Sequence, residues 1–336
     1  MGDVLHALPA AAALKNARPD CSIGWVIEPR WCPLLRATSG PAAKAVVDQV
    51  FLAETRLWKK RPFSTETLSQ IRGLRHQLRE EHFQWCVDMQ GSIRSAVIGK
   101  MTAADRFYGP AEPRETPARW LYRETIPVTA THVVEQGCEL LGQSVGLPLS
   151  AAEVDFPVDR EAERICEASL SGLGTEGRGY ALICPTAGWG AKQWPSERFG
   201  AVARELSGRG IPVVVNATSP IDPVAERVLE SSGGCAVKIA GNIPQLMELT
   251  RRAVVVIAGD TGPLHLAAAM RRPVVALFGP TDPARNGPYG TRAQVLRHGG
   301  ERQDHRRLAE PEAGLLEITV DEVVSATWEL LKATRG

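Results

Sequence analysis

Five short apolar runs limit what this chain can become. Residues Tyr180–Cys184, 212–216, 236–239, 253–258 and 273–278 are dominated by Val, Ile, Leu and Ala, with no polar alternation. A strand that is apolar on both faces must be covered on both, which places it in a parallel sheet sandwiched by helices. Segments with helical spacing of apolar residues separate the runs, over 196–207, 223–231, Ile243–Arg252 and 263–270. This order predicts a doubly wound α/β domain.

The first half shows the same alternation less clearly. Strands are expected over 22–28 and 84–89, with a short apolar run over 45–52. Helices are expected over 9–17, 65–79, 92–101 and 132–142; in 65–79, Leu68, Ile71, Leu74 and Leu78 share a helical spacing. Residues 147–159 hold prolines and no helical period, and read as a linker. With 336 residues there is room for two domains. The expected division is 1–150 and 151–318, two Rossmann-like lobes facing a cleft, followed by a C-terminal helix within 319–336 that can pack on either lobe.

One element is missing from this pattern. The chain passes from Met1-Gly2-Asp3 almost directly into a helix, whereas a doubly wound lobe normally starts with a central strand. The expectation is that about eight to ten apolar, β-prone residues precede Met1 in the natural gene product, a strand plus a short turn.

Composition removes several function classes. Lys and Arg number 39 against 38 Asp and Glu, so nucleic acid is not an expected partner. No apolar run approaches the roughly 18 residues of a membrane span, and no basic stretch with an apolar core marks a signal peptide. Seven cysteines, an odd number without C-x-x-C, argue against a zinc site or disulfide framework and fit a reducing cytoplasm. Cys86 and Cys184 lie inside apolar runs, where a thiol behaves as a small hydrophobe.

Two pattern matches fail on context. G-x-G-x-x-G at 172–177 follows a helix and precedes a strand, the reverse of a dinucleotide fingerprint. G-x-S-x-G at 142–146 ends a helix, where Gly146 serves as a C-cap rather than a nucleophile elbow.

The strongest site signal is Gly259-Asp260-Thr261-Gly262-Pro263-Leu264-His265. It leaves a strand and opens a helix, so backbone N–H groups and the positive helix end form an anion site, with Thr261 adding a hydroxyl and His265 lying in the first turn. The bland alternative is a capped helix with a satisfied histidine. Thr186 and Lys192 lie in a loop leaving the strand Tyr180–Cys184. Lys192 is either a phosphate-binding charge or an exposed lysine on a turn, and in both cases its removal should spare stability. Asp222 is either a ribose acceptor or a helix N-cap before Pro223. The turn 279–283 leaves a further strand at the same edge. Asp3 is either an N-cap or a catalytic base. Residues 56–79 carry seven basic side chains against Glu66 alone, a solvated face or an anion-binding surface, where Trp58 would suit an interface. None of the twelve aspartates has a second two positions away, so no D-x-D metal pair is present.

Taken together, these motifs resemble the family 9 glycosyltransferases, the lipopolysaccharide heptosyltransferases, and within them the heptosyltransferase I branch. The resemblance rests on Met1-Gly2-Asp3-Val4-Leu5-His6, Asp88-Met89-Gln90-Gly91 with Ser95, Arg114-Glu115, His132, Lys192-Gln193-Trp194-Pro195, Asp260-Thr261-Gly262 with Leu264-His265, and Gly279-Pro280-Thr281-Asp282-Pro283. It implies a GT-B fold and metal-independent, inverting transfer from ADP-L-glycero-D-manno-heptose to Kdo on lipid A, without a cofactor. By resemblance Asp3 is the general base. Thr186, Lys192, Asp222, Asp260, Thr261, Gly262, Leu264 and His265 contact the donor; Lys59, Lys60, Arg61, Arg114 and His132 serve the acceptor. A monomer, cytoplasmic and peripheral on the inner membrane, is expected. The chain departs from the family in lacking the opening strand and in carrying Thr186-Ala187-Gly188 where the heptosyltransferase I branch has adjacent threonines. Cys184-Pro185 is nearer the heptosyltransferase II pattern, which leaves a different acceptor open. Competing readings are a nucleotide-sugar 2-epimerase of the same fold, which would leave the basic segment without a role, and a non-catalytic two-lobed binding protein.

Overall fold

A computed structural model describes residues 1–37, 46–173, 179–299 and 310–335. The G-x-G-x-x-G match therefore lies partly outside the described residues. The chain divides into two compact units, one built on Asp3–Arg36 and Ala42–Pro157, the other on Val158–Gly336. The division falls after Pro157 rather than after residue 150, because Ala152 N–H bonds the Pro9 carbonyl and Ala151 packs beside Ala10 and Cys138, holding this stretch to the first unit.

In the first unit the helices are α1 Gly2–Ala17, α2 Thr55–Lys60, α3 Thr65–Glu80, α4 Ile93–Met101 and α5 Val133–Val145. Its strands are β1 Gly24–Ile27, β2 Gln49–Leu52, β3 Trp85–Val87, β4 Arg106–Pro110 and β5 Glu124–Ile126. α1 begins seven residues earlier than 9–17 and carries Pro9 in its interior. It is apolar around its circumference, as befits a helix buried on most sides. Ser92 caps α4 in a capping box with Ser95, and His132 caps α5 through its ring nitrogen. The strands form two parallel sheets, β1-β2 and β3-β4-β5.

The second unit is regular. Its strands are β6 Tyr180–Cys184, β7 Val213–Ala217, β8 Ala236–Ala240, β9 Ala253–Gly259, β10 Val274–Leu277 and β11 Ala293–Leu296. They form one parallel sheet in the order β11-β10-β9-β6-β7-β8. The helices are α6 Arg160–Leu170, α7 Ser196–Gly208, α8 Pro223–Ser232, α9 Ile243–Arg252, α10 Gly262–Ala269, α11 Pro283–Asn286, α12 Ala313–Glu317 and α13 Val320–Arg335. Every residue of β6, β7 and β10 is buried, as their continuous apolar sequences require. α13 packs on this unit, placing Val323, Val324, Leu330 and Leu331 against the core that holds Trp194, Phe199 and the inward residues of β6, β7 and β9.

Candidate functional site

In the second unit the site lies where ligands meet open α/β sheets, at the carboxyl ends of the strands. Asp260 directly follows β9 and is buried, with its side chain 4% exposed. Three groups converge on it. Lys192 Nζ and Thr281 Oγ1 both donate to Oδ2, the latter at 2.6 Å, and His265 Nε2 lies 3.1 Å from Oδ1. Burial alone would raise the Asp260 pKa; the His265 hydrogen bond and the charges of His265 and Lys192 reverse that and hold it well below the usual carboxylate range.

The chain reaches this arrangement by close backbone approach. A Cβ on Gly259 would meet the Lys192 carbonyl at 3.1 Å, and one on Gly279 the Ala191 carbonyl at 3.2 Å. The lack of side chains at these strand ends is what lets the 190–192 turn settle against β9 and β10. Gln193 ties the loop down, accepting from Ala187 N–H at 2.9 Å and donating to the Pro185 carbonyl at 2.7 Å. Trp194 is fully buried and donates to the Ile318 carbonyl. Lys192 is thus not an exposed turn lysine: its side chain is 10% exposed and its ammonium stands 4.8 Å from the centre of the Trp189 ring.

Other expected donor contacts fall differently. Thr261 is the N-cap of α10, and its hydroxyl donates to the Gly259 carbonyl at 3.2 Å. The N–H groups of Gly262 and Leu264 belong to the first turn, which lacks intrahelical acceptors. The Leu264 side chain is fully buried in the core. His265 is directed onto Asp260 and orients that carboxylate. Asp222 is the N-cap of α8: Oδ1 accepts from Val224 and Ala225 N–H, and Oδ2 from Thr218 N–H, Thr218 Oγ1 and Thr186 Oγ1. Both oxygens accept hydrogen bonds within the protein, so Asp222 clamps the 186 and 218 loops together. Thr281, read from sequence as part of a turn and of the 279–283 resemblance motif but not as a site residue, is a member of the buried network.

In the first unit Asp3 is not an N-cap. Met1 holds that position without a side-chain bond, and Asp3 lies in the first turn of α1. Its carboxylate is more than half exposed, accepts a 2.7 Å hydrogen bond from Gln90 Nε2 at Oδ2, and lies 3.8 Å from Arg114. Asp88 holds the Gln90 turn: its Oδ1 accepts from Gln90 and Gly91 N–H, and its Oδ2 from Ser95 and Tyr122 hydroxyls. Burial and the Asp88 charge push the Tyr122 phenol far up, so it stays a donor. Gly91 adopts φ +66°, and a Cβ there would meet Arg114 N at 2.9 Å, so glycine brings the Arg114 segment alongside. Asp3, Gln90 and Arg114 thus form one group. His132 lies with His6, ring centroids 6.3 Å apart, the latter one turn along α1 from Asp3.

Lys59, Lys60 and Arg61 are exposed at the C-terminal end of α2. Trp58 is half-buried, donating to Gln70 and packing on the Phe51–Leu78 cluster. Phe63, which sequence reading passed over, is the exposed aromatic here at 90%. Among the described residues, no helix is long and apolar enough to cross a membrane, and no three His, Cys, Asp or Glu are grouped to hold a metal.

The sequence profile described as glycosyltransferase family 9 (heptosyltransferase) matches residues 71–314. Lipopolysaccharide heptosyltransferase 1 of Pseudomonas aeruginosa is 30% identical over 305 residues, 88% of this chain and 80% of that protein. Lipopolysaccharide heptosyltransferase 3 of Escherichia coli (strain K12) is 25% identical, covering 84% and 80%. The solved structure of E. coli heptosyltransferase WaaC with ADP superposes with a TM-score of 0.78 at 26% identity, over 98% of this chain and 97% of that one. The chain belongs to glycosyltransferase family 9, the heptosyltransferases, and is a glycosyltransferase of the GT-B fold.

Proposed function

We propose that the protein transfers heptose from ADP-L-glycero-D-manno-heptose to a Kdo residue of lipid A, with inversion and without a metal ion. The observation that carries the donor side is the buried group of Lys192, Asp260, His265 and Thr281 beside the N-terminus of α10. An ammonium held at a helix N-terminus suits a diphosphate whose charge grows as it leaves. The relative solved with ADP supports the same class of ligand.

On the acceptor side the exposed Asp3 carboxylate takes the proton of the attacking hydroxyl. The new bond forms from that oxygen to the anomeric carbon as the bond to the β-phosphate oxygen breaks, and ADP departs. Gln90 and Arg114 both meet Oδ2 of Asp3 and orient the carboxylate. Arg114 and His132 contact the anionic acceptor, and Lys59, Lys60 and Arg61 meet its phosphates at the cytoplasmic face of the inner membrane, with Phe63 entering the headgroup layer.

The test is incubation of the purified protein with ADP-heptose and Kdo-lipid A, with EDTA present in a parallel reaction, read by mass spectrometry. A product heavier by one heptose in both reactions is expected. Epimerised or merely hydrolysed donor, with the acceptor unchanged, overturns the reading. Transfer abolished by EDTA overturns its metal independence.

A further inference from the structure

The loop that leaves β6 carries two tryptophans with different tasks. Trp194 is fully buried, meets Phe199 edge to face and donates to the Ile318 carbonyl, so it anchors the loop to the core. Trp189 is half-buried, and the Lys192 ammonium stands over its ring, 4.8 Å from the centre. The backbone makes this pairing. Lys192 N–H donates to the Trp189 carbonyl at 3.2 Å and Gln193 N–H to the Gly190 carbonyl at 2.8 Å, closing a 3-10 turn over Gly190–Lys192. In such a turn residues three apart eclipse one another, which brings the two side chains together. The turn is pressed against the ends of β9 and β10 at Gly259 and Gly279, so the Lys192 backbone is fixed and only its side-chain torsions remain to be set.

Two partners of different kind set them. The Asp260 carboxylate binds the ammonium and also cancels its charge. The indole binds it through the negative face of its ring and carries no net charge. Asp260 in turn divides its charge among Lys192, His265 and Thr281. We propose that Trp189 is a positioning residue for the donor, a role that rests on the donor reading above: its ring holds the Lys192 ammonium ready for the diphosphate without neutralising it. A lysine held by Asp260 alone would be drawn onto that carboxylate, and the entropy of ordering it would fall on ligand binding. With the ring in place, a diphosphate at the N-terminus of α10 meets a charge that is already aimed.

The test is a double-mutant cycle on ADP affinity, read by titration calorimetry on wild type, Trp189→Leu, Lys192→Ala and the two together. Leucine keeps apolar bulk and lacks the aromatic face. Trp189→Leu is expected to weaken ADP binding by about 3–30-fold when Lys192 is present and by less than about 2-fold when it is alanine. Trp189→Phe, which keeps a ring, is expected to stay within about 3-fold of wild type. An equal loss in both backgrounds means that the ring acts apart from Lys192 and overturns the proposal. So does Trp189→Phe as weak as Trp189→Leu, or Trp189→Leu as tight as wild type; in these cases the wild type still binds ADP and the donor reading stands. A wild type that binds neither ADP nor inorganic pyrophosphate overturns the donor reading and this role with it. If Trp189→Leu fails to fold, wild type labelled with ¹³C-lysine gives the readout without ligand. Protons over an aromatic face are shielded, so the ε-methylene signal of Lys192, identified by its loss in Lys192→Ala, is expected upfield of those of Lys59 and Lys60 and nearer to them in Trp189→Phe than in wild type. A Lys192 signal that coincides with theirs in wild type overturns the proposal.

Discussion

Lys192 shows how a single residue carries two duties. From sequence it is a loop lysine whose loss should spare stability; in the structure it neutralises a buried carboxylate. Lys192→Ala is therefore expected to weaken ADP binding by about 10–100-fold and also to destabilise the fold by about 1–3 kcal/mol, since Asp260 keeps only His265 and Thr281. Titration calorimetry and a thermal melt check both, and an unchanged Tm removes the structural half. Asp260 also sets a pH dependence. Its folded pKa is depressed, so its contribution is present above the unfolded value of about 3.9 and is lost as pH falls through the lower folded value. Melts below pH 4 should show a steepening loss of stability that Asp260→Asn flattens. Asp3 behaves differently, because it is exposed and makes no cap. Asp3→Asn keeps an oxygen for Gln90, so turnover should fall by about 10²–10⁴-fold with Tm and donor affinity kept. Wild-type turnover at saturating acceptor would remove the base from Asp3.

At the scale of elements, α2 is the informative case. It is six residues long, too short for periodicity to reveal, and it ends in Lys59, Lys60 and Arg61 with Phe63 just beyond. Cations at a helix C-terminus also suit its dipole, so a local structural reason exists for them. Replacing all three by Ala should raise KM for a lipid acceptor while leaving KM for the donor alone, the mark of lost ground-state binding. Phe63→Ser should act the same way on vesicle-borne acceptor only. A matching rise in the donor KM would show that the segment merely supports the fold. Elements that sequence reading missed share this brevity. β4 and β5 have five and three residues, and β4 holds Gly109 against the Tyr122 ring, a contact no local pattern announces.

The whole molecule is uneven. The second unit has one six-stranded sheet and one large core running from Trp194 to α13. The first unit has two sheets and several small clusters, among them those of Leu74 and Leu78, of Phe107 and Tyr122, and of Ala10 and Cys138. Burial of continuous apolar area sets local stability, so opening should begin in the first unit. Scanning calorimetry is expected to show two transitions, and pulse proteolysis at the lower one should cleave within the first unit and spare 180–277. A single transition with cleavage in both units would contradict this.

Sequence alone determined the second unit. Runs such as Leu182-Ile183 and Val213-Val214-Val215 are apolar on both faces, and only a helix-covered parallel strand satisfies that. It also determined that Asp260 and Lys192 stand at strand ends, because each follows a strand and precedes a helix within a few residues. Tertiary structure decided what these side chains touch. Lys192 and Asp260 are 68 residues apart, and Thr281 and Asp260 are 21, so their meeting depends on β6, β9 and β10 being neighbours and on glycine at the two strand ends. Asp222 was legible as an acid before a proline, but what its oxygens bond depended on Thr218 of its own loop and Thr186 of another. The grouping of Asp3, Gln90 and Arg114 spans more than a hundred residues and follows from the positive φ of Gly91. Patterns of period two or 3.6 record which face a residue presents; partners brought from distant strands leave no such mark, because packing selects them by shape and charge only once the chain is folded.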